Sequence, residues 1–136
     1  MLTFNSIDNV TDWKWPHFLP AEIACKGTGR IVFDEATLDK LEILRNQLGF
    51  ALPVSSGYRA PEYNNKVSGT GLTGPHTTGK AIDLSVVGLQ AYKVMEAAIA
   101  LGFTGIGVNQ KGTGRFIHID TLSADKDQPR PWVWSY

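Results

Sequence analysis

His76 and Asp83 stand seven positions apart with Gly79 between them, and further on the chain reads Phe116, Ile117, His118, Ile119, Asp120. Imidazoles and carboxylates are the side chains that hold a small cation, and holding one brings the donor atoms within a few ångströms of each other. On one continuous helix residues 76 and 83 would lie ~10 Å apart along the axis, too far for a compact tetrahedral site. The chain must therefore turn between them. Gly79 can make that turn, because glycine enters the positive-φ region without steric cost. Residues 81–86 then alternate as a strand: Ala81, Asp83 and Ser85 share one face, while Ile82, Leu84 and Val86 take the other, the core side. Asp83 is expected to point away from the apolar face.

The second run obeys the same period of two. Ile117 and Ile119 form one face, and Phe116, His118 and Asp120 form the other, with His118 and Asp120 ~6.6 Å apart along the strand. If the two strands are neighbours in a sheet, His76, Asp83 and His118 converge on one ion. Two imidazoles and one carboxylate leave a fourth position for water, the open arrangement of a catalytic zinc ion (Zn2+) and not the closed one of a structural site.

At these residues the sequence resembles the zinc D-alanyl-D-alanine peptidase family, which carries a Ser-x-His-x-x-Gly-x-Ala-x-Asp run and a later third histidine. His76, Gly79, Ala81 and Asp83 match that run, and Gly74 stands where the family has serine. The resemblance takes in Ser56, Gly57, Tyr58 and Arg59, then Asn64, then Gly102 and Phe103 with residues 105–108. It closes on Trp134, Ser135 and Tyr136, which look like the end of the short, phage-associated branch. It implies an α+β fold of the hedgehog/DD-peptidase type, a small antiparallel sheet with helices packed on it, filling residues 1–136 as one domain. It also implies zinc-dependent hydrolysis of a peptide bond in the peptidoglycan stem peptide, as a D-Ala-D-Ala carboxypeptidase or a murein endopeptidase of phage or prophage lysis. Arg59 is then expected on the scissile carbonyl or the developing oxyanion, with Tyr58 and Trp134 against the substrate.

One part of the family pattern is missing. An acid three positions before the third ligand, or a histidine two before it, often acts as base, and here those positions hold Arg115 and Phe116. Asp120 is the expected replacement, either as a catalytic base or as a carboxylate that orients His118. Glu62 and Asp125 are further candidates. The gap leaves a second reading open: a metal-stabilised wall-binding or virion structural domain without turnover. An amidase cutting at the glycan–peptide junction is a third.

Composition limits the rest. A chain of 136 residues, 43% hydrophobic and 19% charged, suits one globular domain. Lysine plus arginine equals aspartate plus glutamate at 13 each, so no global field favours nucleic acid as a partner, and a monomer is expected. Cys25 is the single cysteine and forms no disulfide within the chain. The first residues lack the basic and apolar regions of a signal peptide, and no apolar run is long enough for a membrane span. Synthesis in the cytoplasm is thus expected, with delivery to the wall by a holin, by lysis or in a virion.

Along the chain, residues 1–16 read as an ordered aromatic arm whose Trp13 and Trp15 serve the core, and His17 as a surface residue. Leu38, Leu41, Leu44 and Leu48 predict a helix over 34–48 that stops at Gly49. A short strand is expected at 51–55, limited by Pro53, and then a loop displaying Arg59. Residues 69–74 spell G-x-G-x-x-G but lead into Pro75, so they lack the strand-to-helix setting of a dinucleotide site. A second helix is expected over 88–101, with Leu89, Tyr92, Met95 and Ile99 on one face. A hairpin of 105–109 and 115–120 follows, and the aromatic tail 129–136 is expected to fold back as a wall of the cleft.

Overall fold

The computed structural model describes residues 1–136. Strand β1 (Leu2–Phe4) runs antiparallel to β2 (Ile31–Phe33), with helix α1 (Pro20–Ile23) between them. Helix α2 (Glu35–Leu48) precedes β3 (Val54–Ser56), helix α3 (Pro61–Val67) and β4 (Ala81–Leu84). Helix α4 (Gly88–Ala100) then leads to β5 (Gly105–Asn109), β6 (Phe116–Asp120) and β7 (Trp132–Ser135). The main sheet has the order β3-β4-β6-β5-β7, antiparallel except for β7, which lies parallel to β5. This is the expected α+β architecture: one sheet face carries Ile82, Leu84, Ile117 and Ile119 into a core shared with Leu38, Leu41 and Leu44 of α2 and Ala91, Val94 and Ala98 of α4.

Helix α2 begins and ends where its sequence dictates. The Asp34 carboxylate accepts from the Thr37 amide at 3.0 Å and the Thr37 hydroxyl at 2.7 Å, capping the first turn, and Gly49 ends the helix at φ 73°. Helix α4 has the expected extent, but of the expected face only Met95 packs against the core, while Leu89, Tyr92 and Ile99 face outward. The buried stripe is Ala91, Val94 and Ala98. Small side chains let the helix axis approach α2 and the sheet closely, so side-chain size selects the buried face over bulk hydrophobicity. The strand expected at 51–55 begins instead at Val54, because Pro53 has no N–H to give the ladder.

The amino-terminal arm is more regular than its sequence indicates, since β1 pairs with β2 residue by residue. Trp15 is buried and donates from Nε1 to Asp39 at 2.8 Å, and Trp13 packs edge-on against it at 5.0 Å. His17 binds Glu42 at the surface. The glycine-rich stretch 69–74 joins α3 to a 3-10 turn, Pro75–Thr78, and sits in no strand-to-helix junction.

Gly79 makes the turn between the first two candidate ligands at φ 74°. It is needed twice, because a Cβ there would also lie 2.5 Å from the Val32 carbonyl oxygen. Gly29, at φ 77°, has open space around it. Gly79→Ala is therefore expected to cost roughly 3 kcal/mol, conformational strain plus steric overlap, against about 1 kcal/mol for Gly29→Ala, where strain acts alone. Urea unfolding of the two variants checks the difference, and equal losses would refute the steric share.

Candidate metal centre

The register of the sheet builds the site. Asp83 of β4 lies directly opposite His118 of β6, which lies opposite Gly107 of β5. His76 arrives from the 3-10 turn, whose hydroxyls close it: Thr77 donates to the Gly74 carbonyl at 2.7 Å and Thr78 to the Pro75 carbonyl at 2.6 Å. A side chain at position 74 would run into the Thr70 hydroxyl, to which Asn64 Nδ2 donates at 2.9 Å. Thr70 thus fills the space of the serine expected at 74, which accounts for the glycine.

His76 Nε2, Asp83 Oδ1 and His118 Nδ1 form a triangle with sides of 3.2, 3.0 and 3.3 Å. All three residues are buried. The outer ring nitrogens have acceptors of their own: His76 Nδ1 donates to the Gly57 carbonyl at 2.7 Å, and His118 Nε2 to Asp120 at 2.8 Å. A carbonyl and a carboxylate can only accept, so the outer nitrogens carry the protons and the inner ones present lone pairs. Three lone-pair donors then face one point, which is the chemistry of a cation site. A tetrahedron with metal–ligand bonds of about 2.0–2.1 Å has edges of about 3.3–3.4 Å, close to this triangle. The residues fit a divalent ion, and the group His76, Asp83 and His118 is the one such cluster in the chain.

Burial alone would raise the Asp83 carboxyl, but in the metal-free protein a proton taken up on an inner nitrogen of His118 or His76 is donated to it, and these contacts outweigh burial and hold the group well below the usual carboxylate range. Burial likewise opposes charge on His118, and the carboxylates of Asp120 and Asp83 overcome that and raise its pKa. The same negative field that favours a proton there favours a metal cation.

Asp120 lies on the ligand face as expected, but behind the imidazole and not in the cleft. It is 0% exposed, and its oxygens take His118 Nε2, the Leu122 amide, and Arg130 through Nε at 3.0 Å and a terminal nitrogen at 2.8 Å. Every lone pair it could use as a base is engaged, so this geometry is that of an orienting carboxylate. Arg130 is the residue that sequence reasoning missed; its spacing from Asp120 follows no periodicity. Gly105 of β5 makes room for the pair, since a Cβ there would overlap the Asp120 carboxylate.

Arg59 reaches the cleft and stands 3.6 Å from Asp83 Oδ2, with Nε on Ser56 at 3.0 Å and Nη1 on buried Asn64 at 3.2 Å. Tyr58 does not share the cleft. It is 5% exposed, packs in the core and borders only a smaller cavity beside the cleft, because neighbouring residues of an extended segment point opposite ways. Glu62 pairs with Arg30 and lies outside the cleft lining, whereas Asp125 and also Asp127 are on its rim. Trp134 packs 5.0 Å from the His118 ring and 5.1 Å from the Arg130 guanidinium. Tyr136 packs 5.0 Å from Phe116, so the tail does form a wall of the cleft. A Cβ on Gly107 would come within 2.8 Å of Trp134 Nε1, so that wall too needs a bare strand beside it. The cleft encloses about 880 Å³.

Burial tends to raise the Asp120 carboxyl, and hydrogen bonds from His118 and Arg130 bring it down to about 2. A folded-state value below the unfolded one, ~3.9, means the carboxylate stabilises the fold above pH ~4 and that this stability is lost as pH falls through ~2. For the metal-free protein the expected loss is about 2–3 kcal/mol at ~1.4 kcal/mol per unit. Asp120→Asn should remove that acid dependence and cost about 3 kcal/mol near neutral pH by leaving Arg130 without its counter-charge. Denaturant unfolding at a series of pH values checks both; an unchanged acid profile in the variant refutes the assignment.

With this geometry in hand, sequence comparison places the chain among known proteins. Proteins named peptidoglycan L,D-endopeptidase MepK from Escherichia coli K12, Escherichia coli O157:H7 and Shigella flexneri are each 32% identical to it over 94 residues. The match takes in 65% of this chain and 50% of each relative, so the chain spans about half their length. The family model described as Peptidase M15 matches residues 16–120, a span that includes His76, Asp83, His118 and Asp120. The chain belongs to the Peptidase M15 family.

Proposed function

We propose that this protein is a zinc-dependent peptidase that hydrolyses a peptide bond in the stem peptide of bacterial peptidoglycan. The observation that carries the reading is the triangle of His76, Asp83 and His118 lining a cleft of about 880 Å³. The name of the related endopeptidases supports the substrate class and an internal bond; a terminal D-Ala-D-Ala bond is the competing choice, and product analysis separates them. Nitrogen and oxygen donors at tetrahedral spacing favour zinc over harder cations that take six or more oxygens. Zinc held there would supply a Lewis acid for the scissile carbonyl and a water of lowered pKa.

The chain's own residues do the remaining work. Arg59, fixed by Ser56 and Asn64, has N–H groups left to donate to the carbonyl oxygen as negative charge develops on it. Asp120 and Arg130 hold the His118 ring in one tautomer and orientation. Trp134, Tyr136 and Phe116 give the peptide an apolar wall. Apart from Asp83, the carboxylates lining the cleft are Asp125 and Asp127, and proton transfer to and from the cleft falls to them. The setting we propose is wall breakdown during lysis, a reading supported by the closing run of Trp134, Ser135 and Tyr136.

The test is amine release from purified peptidoglycan by the zinc-loaded protein. Asp83→Ala is expected to lose both stoichiometric zinc and activity. Arg59→Lys should keep the metal and lower kcat by roughly a hundredfold, the scale of losing one oxyanion donor. Asp120→Asn should lower metal affinity or activity by roughly 10- to 100-fold without abolishing either. Stoichiometric zinc with no amine released from several wall types would overturn the peptidase reading in favour of a wall-binding domain.

A further inference from the structure

Beside the main cleft lies a smaller cavity of about 170 Å³, and Arg59 and Val67 form the wall that the two share. The side pocket carries two cations, Lys26 and Arg59, together with the polar Ser55 and Ser56 and the ring of Tyr63. No carboxylate lines it. Glu62, on the neighbouring helix α3, is engaged by Arg30.

Both cations keep donors in reserve. The Lys26 ammonium gives one hydrogen to the Ser55 carbonyl and has two left. The Arg59 guanidinium, with five N–H groups, spends Nε on Ser56 and one hydrogen of Nη1 on Asn64, and its Nη2 stands 3.6 Å from Asp83 Oδ2, beyond hydrogen-bond distance, which leaves Lys26 as the cation without a carboxylate beside it. At about 30 Å³ per water molecule the cavity has room for a carboxylate on a short stem. The far rim of the main cleft has the opposite character. Asp125 and Asp127 line it, and the cation on that side, Arg130, is neutralised by Asp120. A negatively charged group in the cleft is thus repelled at one end and attracted at the other.

We infer that the side pocket binds a carboxylate of the peptide substrate, with Lys26 as its counter-charge, and that the peptide crosses the ligand triangle with this carboxylate on the Arg59 side. The inference rests on the peptidase reading above, because it assigns the pocket to the substrate's own charge. A stem peptide with lysine at its third position offers two sources, its terminal carboxylate and the free α-carboxylate of its γ-linked glutamate.

The probes are three synthetic pentapeptides, L-Ala-D-γ-Glu-L-Lys-D-Ala-D-Ala as the free acid, as the terminal carboxamide and as the glutamate α-carboxamide. Zinc-loaded wild type, Lys26→Ala and Lys26→Arg are compared on each. Lys26 is exposed, so neither substitution disturbs the core. In wild type, amidating the carboxylate that occupies the pocket should raise KM about tenfold, the scale of a charge-assisted hydrogen bond. Lys26→Ala should produce the same rise on the free acid and no further rise on that amide, with kcat unchanged, and Lys26→Arg should restore tight binding. Whichever amide shows the effect names the source. Equal KM for wild type and Lys26→Ala on all three peptides overturns the subsite. Calorimetric binding of the same peptides separates this inference from the one beneath it. A Lys26-dependent preference for the acid without any cleavage sustains the pocket and sinks the peptidase, and cleavage without that preference does the reverse.

Discussion

Three lone pairs pointed at one another across about 3 Å repel unless a positive charge lies between them, and the architecture around the triangle of His76, Asp83 and His118 exists to hold them there. Each donor is fixed from behind. The Gly57 carbonyl holds His76, Asp120 holds His118, and Arg59 faces the far oxygen of Asp83. The fold supplies those rear contacts from separate parts of the chain, so the geometry is over-determined before any cation enters. Such preorganisation limits the reorganisation that binding or catalysis requires.

The positive side chains around the triangle play unlike parts. Arg130 is spent on Asp120 in a buried pair and adds little net field to the cleft. Arg59 is half committed, with hydrogen bonds to Ser56 and Asn64 that set its direction and a terminal nitrogen 3.6 Å from Asp83 that makes no hydrogen bond to it. Lys26 is tethered by a single carbonyl. The three cations thus run from neutralised to available, so a chain of zero formal charge presents unlike charges around one site.

Much of this was legible in the sequence because it rests on short periods. Alternation over 81–84 and 116–120 puts Asp83, His118 and Asp120 on one face and the isoleucines on the other, and the glycine between residues 76 and 83 announces the turn. What escaped depends on partners that no period connects. Alternation places Asp120 beside His118 but cannot say whether its oxygens are free, since that is settled by Arg130 across an irregular loop. Pairing of β1 with β2 joins residues some thirty apart in a short ladder with little sequence signal. On α4 the larger residues Leu89, Tyr92 and Ile99 were visible as an apolar stripe and face outward, because alanines allow the closer packing. Tyr58 and Arg59 are adjacent, and only the course of the extended segment after β3 decides which one meets the cleft.

The bare face of β5 leaves an imprint that can be read elsewhere. Gly105 lies opposite Asp120 and Gly107 opposite His118, and a side chain at either position would collide with the carboxylate or with Trp134. A glycine in a strand interior weakens the strand, and its presence there marks a close approach by something else. Two glycines spaced by one residue, in a strand that hairpins into a His-x-Asp strand, therefore record that the aspartate lies flat against the sheet and away from solvent. In a chain known only as a string of letters, that spacing would distinguish a carboxylate that steadies a ligand from one that works on the substrate.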